Sequence, residues 1–436
     1  MSSATTVSSP RPSDAFLTAV RELSDRMVEA QRPIRILNSI QWDEAVGRAF
    51  IDGGCRDLPV IGPDWYLANR PLGFDPESKR EEFQGIERDL VRRLGQLSPL
   101  GAIMRRICRE YRAVVEMLET RGTSGFGHRS QELYGSAADA FHAGDPTLAE
   151  LGEMMEATLG RVSASEVIRE EPRVIPAQEA VRRLGERLQA VYPGAGLRVR
   201  LSDGIAADAA AGTDYIKLRE GALFSEGDLR VLEVHEGWVH LGTTINGMNQ
   251  PWLTFLGKGP PSATVTQEGL AVLTEVMTLS STPDRLHRLV NRVRAITLAE
   301  QGADFMEVFR FFCAKGNDHE ESFKYAARVF RGTSFRGPPF TKDIAYIKGF
   351  VLTYNFLRLA IAQGKLDRVR LLFAGKTVIE DMKVLSELLA EGVLAEPRHV
   401  PPLFADLRGL AAMLSFSRFL TGLDYGQLEA DYAGIL

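Results

Sequence analysis

The chain has 436 residues, of which 44% are hydrophobic and 25% are charged, so it can bury a sizeable core and is not of the disordered, collagen-like or disulfide-stapled class. Lys and Arg number 52 against 57 Asp and Glu, for a formal net charge of −5; domains that bind nucleic acid through its phosphates are usually basic, so we expect no nucleic-acid partner. The three cysteines, Cys55, Cys108 and Cys313, are far apart in the sequence and odd in number, which favours a reducing compartment and predicts a cytoplasmic location.

The N-terminal part of the chain is predicted to be a short tail followed by helices. Residues 1–12 are rich in Ser, Thr and Pro and lack the apolar segment of a signal peptide, so we expect a disordered tail. Residues 13–28 repeat apolar side chains every three or four positions, the period of an amphipathic helix. Helical patterns continue to residue 170, except in residues 33–76, where Pro, Gly and aromatic residues follow no period. That stretch is predicted to be a loop-rich excursion over the surface.

Strand patterns occur in one place, just before a helix that begins at Ser225. Residues 196–203 and 214–218 alternate apolar and polar side chains, which is typical of strands. Ser225 and the acidic residues after it form an N-terminal helix cap. Residues 246–266 are dense in Gly, Pro and Asn and are predicted to form a long loop, after which helical patterns dominate.

These patterns predict a mainly α protein with a small β-sheet, of the α+β class. No linker composition divides the chain, so the helical part, residues 13–170, and the remainder, residues 171–436, are predicted to form one continuous domain. The longest apolar stretch, residues 349–362, falls short of the roughly 20 residues that cross a bilayer. We therefore expect no membrane partner.

An HExxxH element, His235-Glu236-Gly237-Trp238-Val239-His240, lies within the Ser225 helix. Imidazole nitrogen is a common zinc ligand, and a carboxylate beside the first ligand is placed to take a proton from water. Histidines four residues apart are separated by about 40° around an α-helix, but histidines five apart by about 140°. The element can therefore bind one metal only if the helix widens locally to an i→i+5 turn; otherwise the two histidines are structural.

Glu268 is the candidate third ligand. It follows His240 by 28 residues, just beyond the predicted loop, where a second helix could pack against the first. Two histidines and one glutamate are a ligand set of catalytic zinc, whereas structural zinc prefers four ligands rich in Cys. Alternatively, Glu268 is only an acidic residue favoured in a first helical turn.

Two further glutamates, Glu275 and Glu233, lie close to these residues in the sequence. Glu275 lies seven residues after Glu268 and could orient a ligand histidine, but we favour a solvated side chain. Glu233 is also expected to be solvated.

The segments HEGWVHLGTTINGMNQP and LGKGPPSATVTQEGLAVLTE resemble the QEGLA-motif family of bacterial proteins, described as modulators of flavohaemoglobin expression and related to the microtubule-associated tyrosine carboxypeptidase. The resemblance implies a zincin-like metallopeptidase core with Zn²⁺ bound by His235, His240 and Glu268. It also implies that Glu236 is the catalytic base. Residues 171–436 would then be the zinc-binding catalytic part.

The ligand set and the resemblance together predict a zinc-dependent, carboxypeptidase-like peptidase that removes a C-terminal residue with zinc-activated water, Glu236 being the general base. Such an enzyme also needs donors for the developing oxyanion and a cation for the substrate's terminal carboxylate. Arg331, Arg336 and Lys342 lie among Gly and Pro residues, and Tyr346 follows them; these four are the predicted substrate-binding residues, with a peptide or protein C-terminus as the partner. The sequence leaves two other functions open. One is a regulatory binding protein with a vestigial metal site, and the other is an aminopeptidase or amide hydrolase, for which acidic residues would line the end of an aminopeptidase cleft.

Overall fold

The computed structural model describes residues 12–163, 171–203, 208–212 and 214–433. The predicted N-terminal tail lies, except for residue 12, outside the described residues. The described residues form these α-helices: α1 Asp14–Gln31, α2 Ile36–Ile40, α3 Glu44–Asp52, α4 Pro63–Asn69, α5 Pro76–Leu94, α6 Pro99–Glu119, α7 Ser124–Tyr134, α8 Leu148–Ser163, α9 Ala177–Val191, α10 Glu226–Leu232, α11 Gly242–Met248, α12 Pro261–Met277, α13 Pro283–Glu300, α14 Phe305–Ala314, α15 His319–Phe330, α16 Ala345–Ala362, α17 Asp367–Leu371, α18 Met382–Ala390, α19 Pro402–Ala405, α20 Leu407–Ser415, α21 Ser417–Leu420 and α22 Tyr425–Tyr432.

A π-helical segment, Glu233–Leu241, joins α10 to α11 without a break, and short 3-10 turns occupy Thr254–Gly257, Thr341–Ile344 and Ile379–Asp381. The strands are β1 Ile175–Pro176, β2 Arg198–Ser202, β3 Ala209–Ala211, β4 Tyr215–Arg219 and β5 Leu223–Phe224. The prediction of a mainly helical chain with a small sheet is confirmed.

The strands form two small sheets beside the helix that begins at Ser225. β4 is the central strand of one sheet, parallel to β2 and antiparallel to β3, and β1 pairs with β5. Ile216 and Leu218 of β4 are buried, whereas the residues between and beside them are half-buried, as expected for a strand with one covered face. Ser225 caps α10 with Asp228 in a reciprocal capping box, so the predicted helix start is confirmed.

Two hydrophobic cores meet at the π-helical segment. The larger core extends from Leu17 in α1 to Leu414 in α20 and so includes residues from both predicted parts of the chain. The smaller core is formed by the strands, α9 and α10. Val239 belongs to the larger core and Leu241 to the smaller one, so the histidines of the HExxxH element lie at the boundary between the two.

Two predictions about local structure are wrong. Residues 33–76 contain α2, α3 and α4 and bury Ile40, Trp42, Phe50 and Tyr66; helices of this length are too short to reveal a period in the sequence. The predicted loop before Glu268 is also too long, since α12 begins at Pro261, where proline is well suited to the first helical turn.

Helix α16 with the turn before it, Thr341–Ala362, is the one stretch among the described residues that is long and apolar enough to cross a membrane. The core helix of a globular protein passes the same test, and α16 packs along α12. The two backbones touch at Gly269 and Gly349, because a Cβ atom on Gly269 would overlap the backbone of Gly349 and one on Gly349 would overlap the carbonyl of Val265. This close approach fixes the position of Glu268, the neighbour of Gly269.

We expect Gly349→Ala to lower the free energy of unfolding by about 2–3 kcal/mol, because the new methyl group must separate two packed helices. Gly185→Ala is the matched control. Apart from the backbone of α9 itself, no heavy atom of the described residues lies within 4 Å of the Cβ position at Gly185, in the middle of α9, so alanine there should raise stability by up to about 1 kcal/mol. Urea unfolding of both variants checks the prediction, and equal stability of the two would contradict the close helix crossing.

Candidate metal centre and active site

The HExxxH element lies on the π-helical segment Glu233–Leu241. The i→i+5 turn that the histidine spacing requires is therefore present, and it brings residues five apart to the same side of the helix. The rings of His235 and His240 lie 4.8 Å apart between centroids and are nearly perpendicular, at 89°. Gly237, between them, faces Leu188 of α9, and a Cβ atom there would overlap that leucine.

Glu268 of α12 completes a cluster with the two histidines. One ligand atom from each residue lies within 4.8 Å of the others. The Oε2 atom of Glu268 is 3.3 Å from Nε2 of His235 and 3.5 Å from Nε2 of His240. Neither contact has hydrogen-bond geometry, so this buried oxygen has no hydrogen-bond partner among the described residues.

A buried carboxylate oxygen without a partner is costly, and a cation bound between it and the imidazoles would remove that cost. The donor set of two imidazoles and one carboxylate fits a catalytic zinc site. Glu268 lies two helical turns inside α12, so the alternative of an acidic residue in a first turn does not hold. Burial raises the pKa of Glu268, but Lys342 and the two imidazoles outweigh this effect and keep the pKa well below its usual range.

Glu275 holds the ring of His235 from the other side. Its Oε1 atom lies 2.5 Å from Nδ1 of His235, and its carboxylate also accepts hydrogen bonds from Arg285, at 3.2 and 3.3 Å, and from Ser281. An ionised carboxylate only accepts hydrogen bonds, so Nδ1 carries a proton, which leaves Nε2, on the Glu268 side, as the ring nitrogen that could bind a metal. The expectation of a solvated Glu275 is wrong: the side chain is fully buried, because the face of α12 that carries Glu268 and Glu275 packs on the π-helical segment.

The π-helical segment itself carries two glutamates, Glu233 and Glu236, and their surroundings differ. Glu236 is half-buried, and among the described residues its carboxylate forms no hydrogen bond or ion pair, although it interacts electrostatically with His235 and His240. Glu233 is not freely solvated as expected, since its side chain is 16% exposed and lies 3.7 Å from Arg187. Glu236 is thus the carboxylate that is free to accept a proton beside the cluster.

Lys376 is a site residue that the sequence analysis missed. Its Nζ atom donates to the carbonyl of His240 at 3.0 Å, to Thr243 Oγ1 at 3.1 Å and to Gln267 Oε1 at 3.0 Å. Burial lowers the pKa of Lys376 to about 8, although Glu268 and Glu236 act in the opposite direction. The ammonium group joins the end of the π-helical segment to α12, and no motif or spacing in the sequence indicates this contact.

Two of the four predicted substrate-binding residues, Lys342 and Tyr346, lie beside the cluster, and a third, Arg331, lies near Tyr346. Lys342 donates to Oε1 of Glu268 at 3.2 Å, and the buried ring of Tyr346 lies 6.3 Å from that of His235 between centroids. Arg331 interacts electrostatically with Tyr346, and burial together with Arg328 lowers the pKa of Arg331 to about 10. Arg336 is not part of this group: its side chain is 81% exposed and pairs with Asp304 at 3.4 Å.

Further cations surround Tyr346 that the sequence analysis did not single out. Arg292 of α13 places its guanidinium carbon 4.9 Å from the centroid of the Tyr346 ring. Arg328 of α15 donates to both oxygens of Asp343, at 2.7 and 2.9 Å. These two residues come from separate helices, α13 and α15, so no spacing in the sequence indicated that they lie together near Tyr346.

A cavity of about 170 Å³ reaches Lys342 from the side of α1, α2 and α6. Its lining combines aliphatic side chains and two tyrosines with the polar side chains of Gln31, Thr264 and Lys342; the full set is Gln31, Ile34, Ile36, Leu37, Tyr111, Tyr134, Gly259, Pro261, Thr264 and Lys342. The cavity therefore offers space for a side chain next to Lys342, the residue that pairs with Glu268.

Comparison with known proteins places the chain in a family. None of the curated proteins matches it in sequence. Among solved structures, a protein described as BsuCP gives a TM-score of 0.38 at 13% identity, and one described as CHT gives 0.30 at 10%; each comparison covers 92% of this chain and 98% of the other. TM-scores this low carry no conclusion. The model of the microtubule-associated tyrosine carboxypeptidase (MATCAP) family matches residues 48–422, which is most of the chain, and the protein therefore belongs to that family.

Proposed function

We propose that this protein is a zinc-dependent carboxypeptidase with a zincin-like core, in which the HExxxH helix and Glu268 hold the metal. The observation that carries the proposal is the buried Oε2 atom of Glu268, which has no hydrogen-bond partner among the described residues and faces Nε2 of both His235 and His240. Zn²⁺ bound by these three residues would supply a Lewis acid and lower the pKa of a bound water.

The protein's own residues have separate tasks in this proposal. Glu236 accepts a proton from water on its unpaired carboxylate and passes it to the leaving amine. Glu275 fixes the proton of His235 on Nδ1 and so keeps Nε2 available as a ligand. Lys376 holds the carbonyl of His240 and thereby supports the widened turn.

The charge around Tyr346 supports removal of a C-terminal residue. Arginines and a lysine lie on this side of the cluster, which suits a terminal carboxylate, whereas an aminopeptidase would need acidic residues to bind a terminal amine. The family is named for a tyrosine carboxypeptidase, and the cavity beside Lys342, which Ile34, Leu37 and two tyrosines help to line, suits an aromatic side chain. We therefore propose a peptide or protein C-terminus as the substrate and an aromatic residue as the one removed.

Four predictions from the sequence belong to the proposal as well. They are a closer relationship to the bacterial QEGLA-motif proteins, a cytoplasmic location, the lack of a nucleic-acid partner and the lack of a membrane partner.

We expect Glu236→Gln to retain about one zinc per chain and to lower kcat/KM for peptide hydrolysis by a factor of about 10²–10⁴, because the general base is lost. The assay uses N-acetyl tripeptides with varied C-terminal residues, and metal content is measured on the same samples. Glu233→Gln, three residues earlier on the same segment, is the matched control and should change kcat/KM by less than a factor of three or so.

Unchanged turnover of Glu236→Gln would contradict the mechanism. If the wild-type protein binds zinc but hydrolyses none of the peptides, the regulatory protein with a vestigial site becomes the better account.

We expect Glu275→Gln to weaken zinc binding by a factor of about 10–100, because the amide no longer fixes His235 through a charged hydrogen bond. Competition with a chromophoric chelator measures the zinc affinity, and unfolding of the metal-free protein shows whether the fold is retained. Glu153→Gln removes a surface carboxylate that pairs with Arg294 and is 62% exposed; it should leave the affinity unchanged. Equal affinities of the two variants would show that Glu275 does not position His235.

A further inference from the structure

Two half-buried arginines near Tyr346, Arg292 and Arg331, have no side-chain hydrogen bond to any described residue. The side chain of Arg292 is 14% exposed, and its Nε atom is 4.0 Å from Asp343, too far for a hydrogen bond. The Nε atoms of both Arg292 and Arg331 are buried without a hydrogen-bond partner, and within the described part of the chain neither guanidinium makes any hydrogen bond. Arg331 packs over the ring of Phe340, with its guanidinium carbon 5.6 Å from the ring centroid.

The carboxylates nearby are already engaged by other cations. Arg328 takes both oxygens of Asp343, Lys342 donates to Glu268, and Arg285 donates to Glu275. Among the described residues, Arg331 therefore has no ion-pair partner, and Arg292 has only the 4.0 Å contact with Asp343, which Arg328 already binds. Partial removal of these charges from water is unfavourable when no anion fully compensates it, and burial accordingly lowers the pKa of both arginines.

We propose that Arg292 and Arg331 together bind the C-terminal carboxylate of the peptide substrate on the Tyr346 side of the metal site. This inference rests on the proposed carboxypeptidase function and names the residues that select a free C-terminus. The planar guanidinium fork matches a carboxylate and is the group best suited to bind it in a buried site. Lys342 is the weaker candidate, because its ammonium group is already paired with Glu268.

The distances allow one residue to reach both the metal site and Arg292. Tyr346 neighbours both of them, with its ring centroid 6.3 Å from that of His235 and 4.9 Å from the guanidinium carbon of Arg292. An extended residue spans about 3.5 Å, and a polar contact at each end adds about 3 Å. A C-terminal residue can therefore hold its carboxylate at Arg292 while its own amide bond lies at the metal site.

The test compares peptides that differ only at the C-terminal group. Wild-type, Arg292→Gln, Arg331→Gln and Arg292→Lys proteins are assayed with a pool of N-acetyl-Ala-Ala-X peptides, each prepared as the free acid and as the C-terminal amide. Arg294→Gln is the matched control, because Arg294 lies on the same helix and pairs with surface residues Glu153 and Glu156. Binding of the same peptides to the non-hydrolysing Glu236→Gln protein, alone and combined with each arginine variant, is followed by thermal shift.

We expect the wild-type protein to prefer the free acid by at least about a hundredfold in kcat/KM. Each Arg→Gln variant should lose most of that preference through a higher KM, Arg292→Lys should keep part of it, and Arg294→Gln should keep all of it. A general loss of activity with an unchanged acid-to-amide ratio would overturn the inference, because that result indicates a structural role only. The inference would also be overturned if peptide amides with a C-terminal Glu bound as well as the free acids. The arginines would then bind the Glu side chain and not the terminal carboxylate.

The failure of this inference can be told from the failure of the proposed function. If no peptide is cleaved, a thermal shift that favours the free acid and disappears in Arg292→Gln still supports the carboxylate site while the proposed peptidase activity fails. If no peptide is cleaved and the free acid and the amide bind equally, both proposals fail. Should Arg292→Gln not fold, Arg331→Gln and Arg292→Lys give the same comparison.

Discussion

An α-helix would place His235 and His240 about 140° apart around its axis, so the candidate site depends on the π-helical turn between them. Such a turn is held from several sides in this protein. Lys376 binds the carbonyl of His240 and Thr243 binds that of Val239, while Gly237 lets α9 approach closely. The π-helical segment also lies between the two cores, so packing on both sides maintains the geometry that brings the imidazoles together.

The second constraint is the position of α12, which supplies both Glu268 and Glu275. Its backbone touches that of α16 at Gly269 and Gly349, and this contact leaves no room to shift the helix without separating two core elements. One face of α12 thus presents a carboxylate to each side of His235: Glu275 to Nδ1 and Glu268 to Nε2. The close packing of α12 on α16 therefore also sets the positions of the two carboxylates that contact His235.

Local signals in the sequence predicted much of the fold. The α+β class, the capping box at Ser225 and strands β2 and β4 follow from helix and strand periods and from capping chemistry. Short helices in residues 33–76 show no period and were missed. The HExxxH spacing indicated the π-helical turn, and the structure brings Glu268 to the two histidines.

Contacts between distant elements could not be read from the sequence. The burial of Glu275 depends on which face of α12 meets the π-helical segment, and Lys376 reaches His240 from more than a hundred residues away. In the sequence, Arg292 is only one of many arginines on predicted helices. Its surroundings become informative only when α13, α15 and α16 are packed together and the charge balance around Tyr346 can be examined.

The most direct test of the account is elemental analysis of the purified protein beside His240→Ala. The account predicts about one zinc per wild-type chain and loss of that metal in the variant, with the helical circular dichroism spectrum retained. A wild-type protein that binds no zinc when it is supplied, or a variant that keeps it, would contradict the assignment of His235, His240 and Glu268 as a metal site.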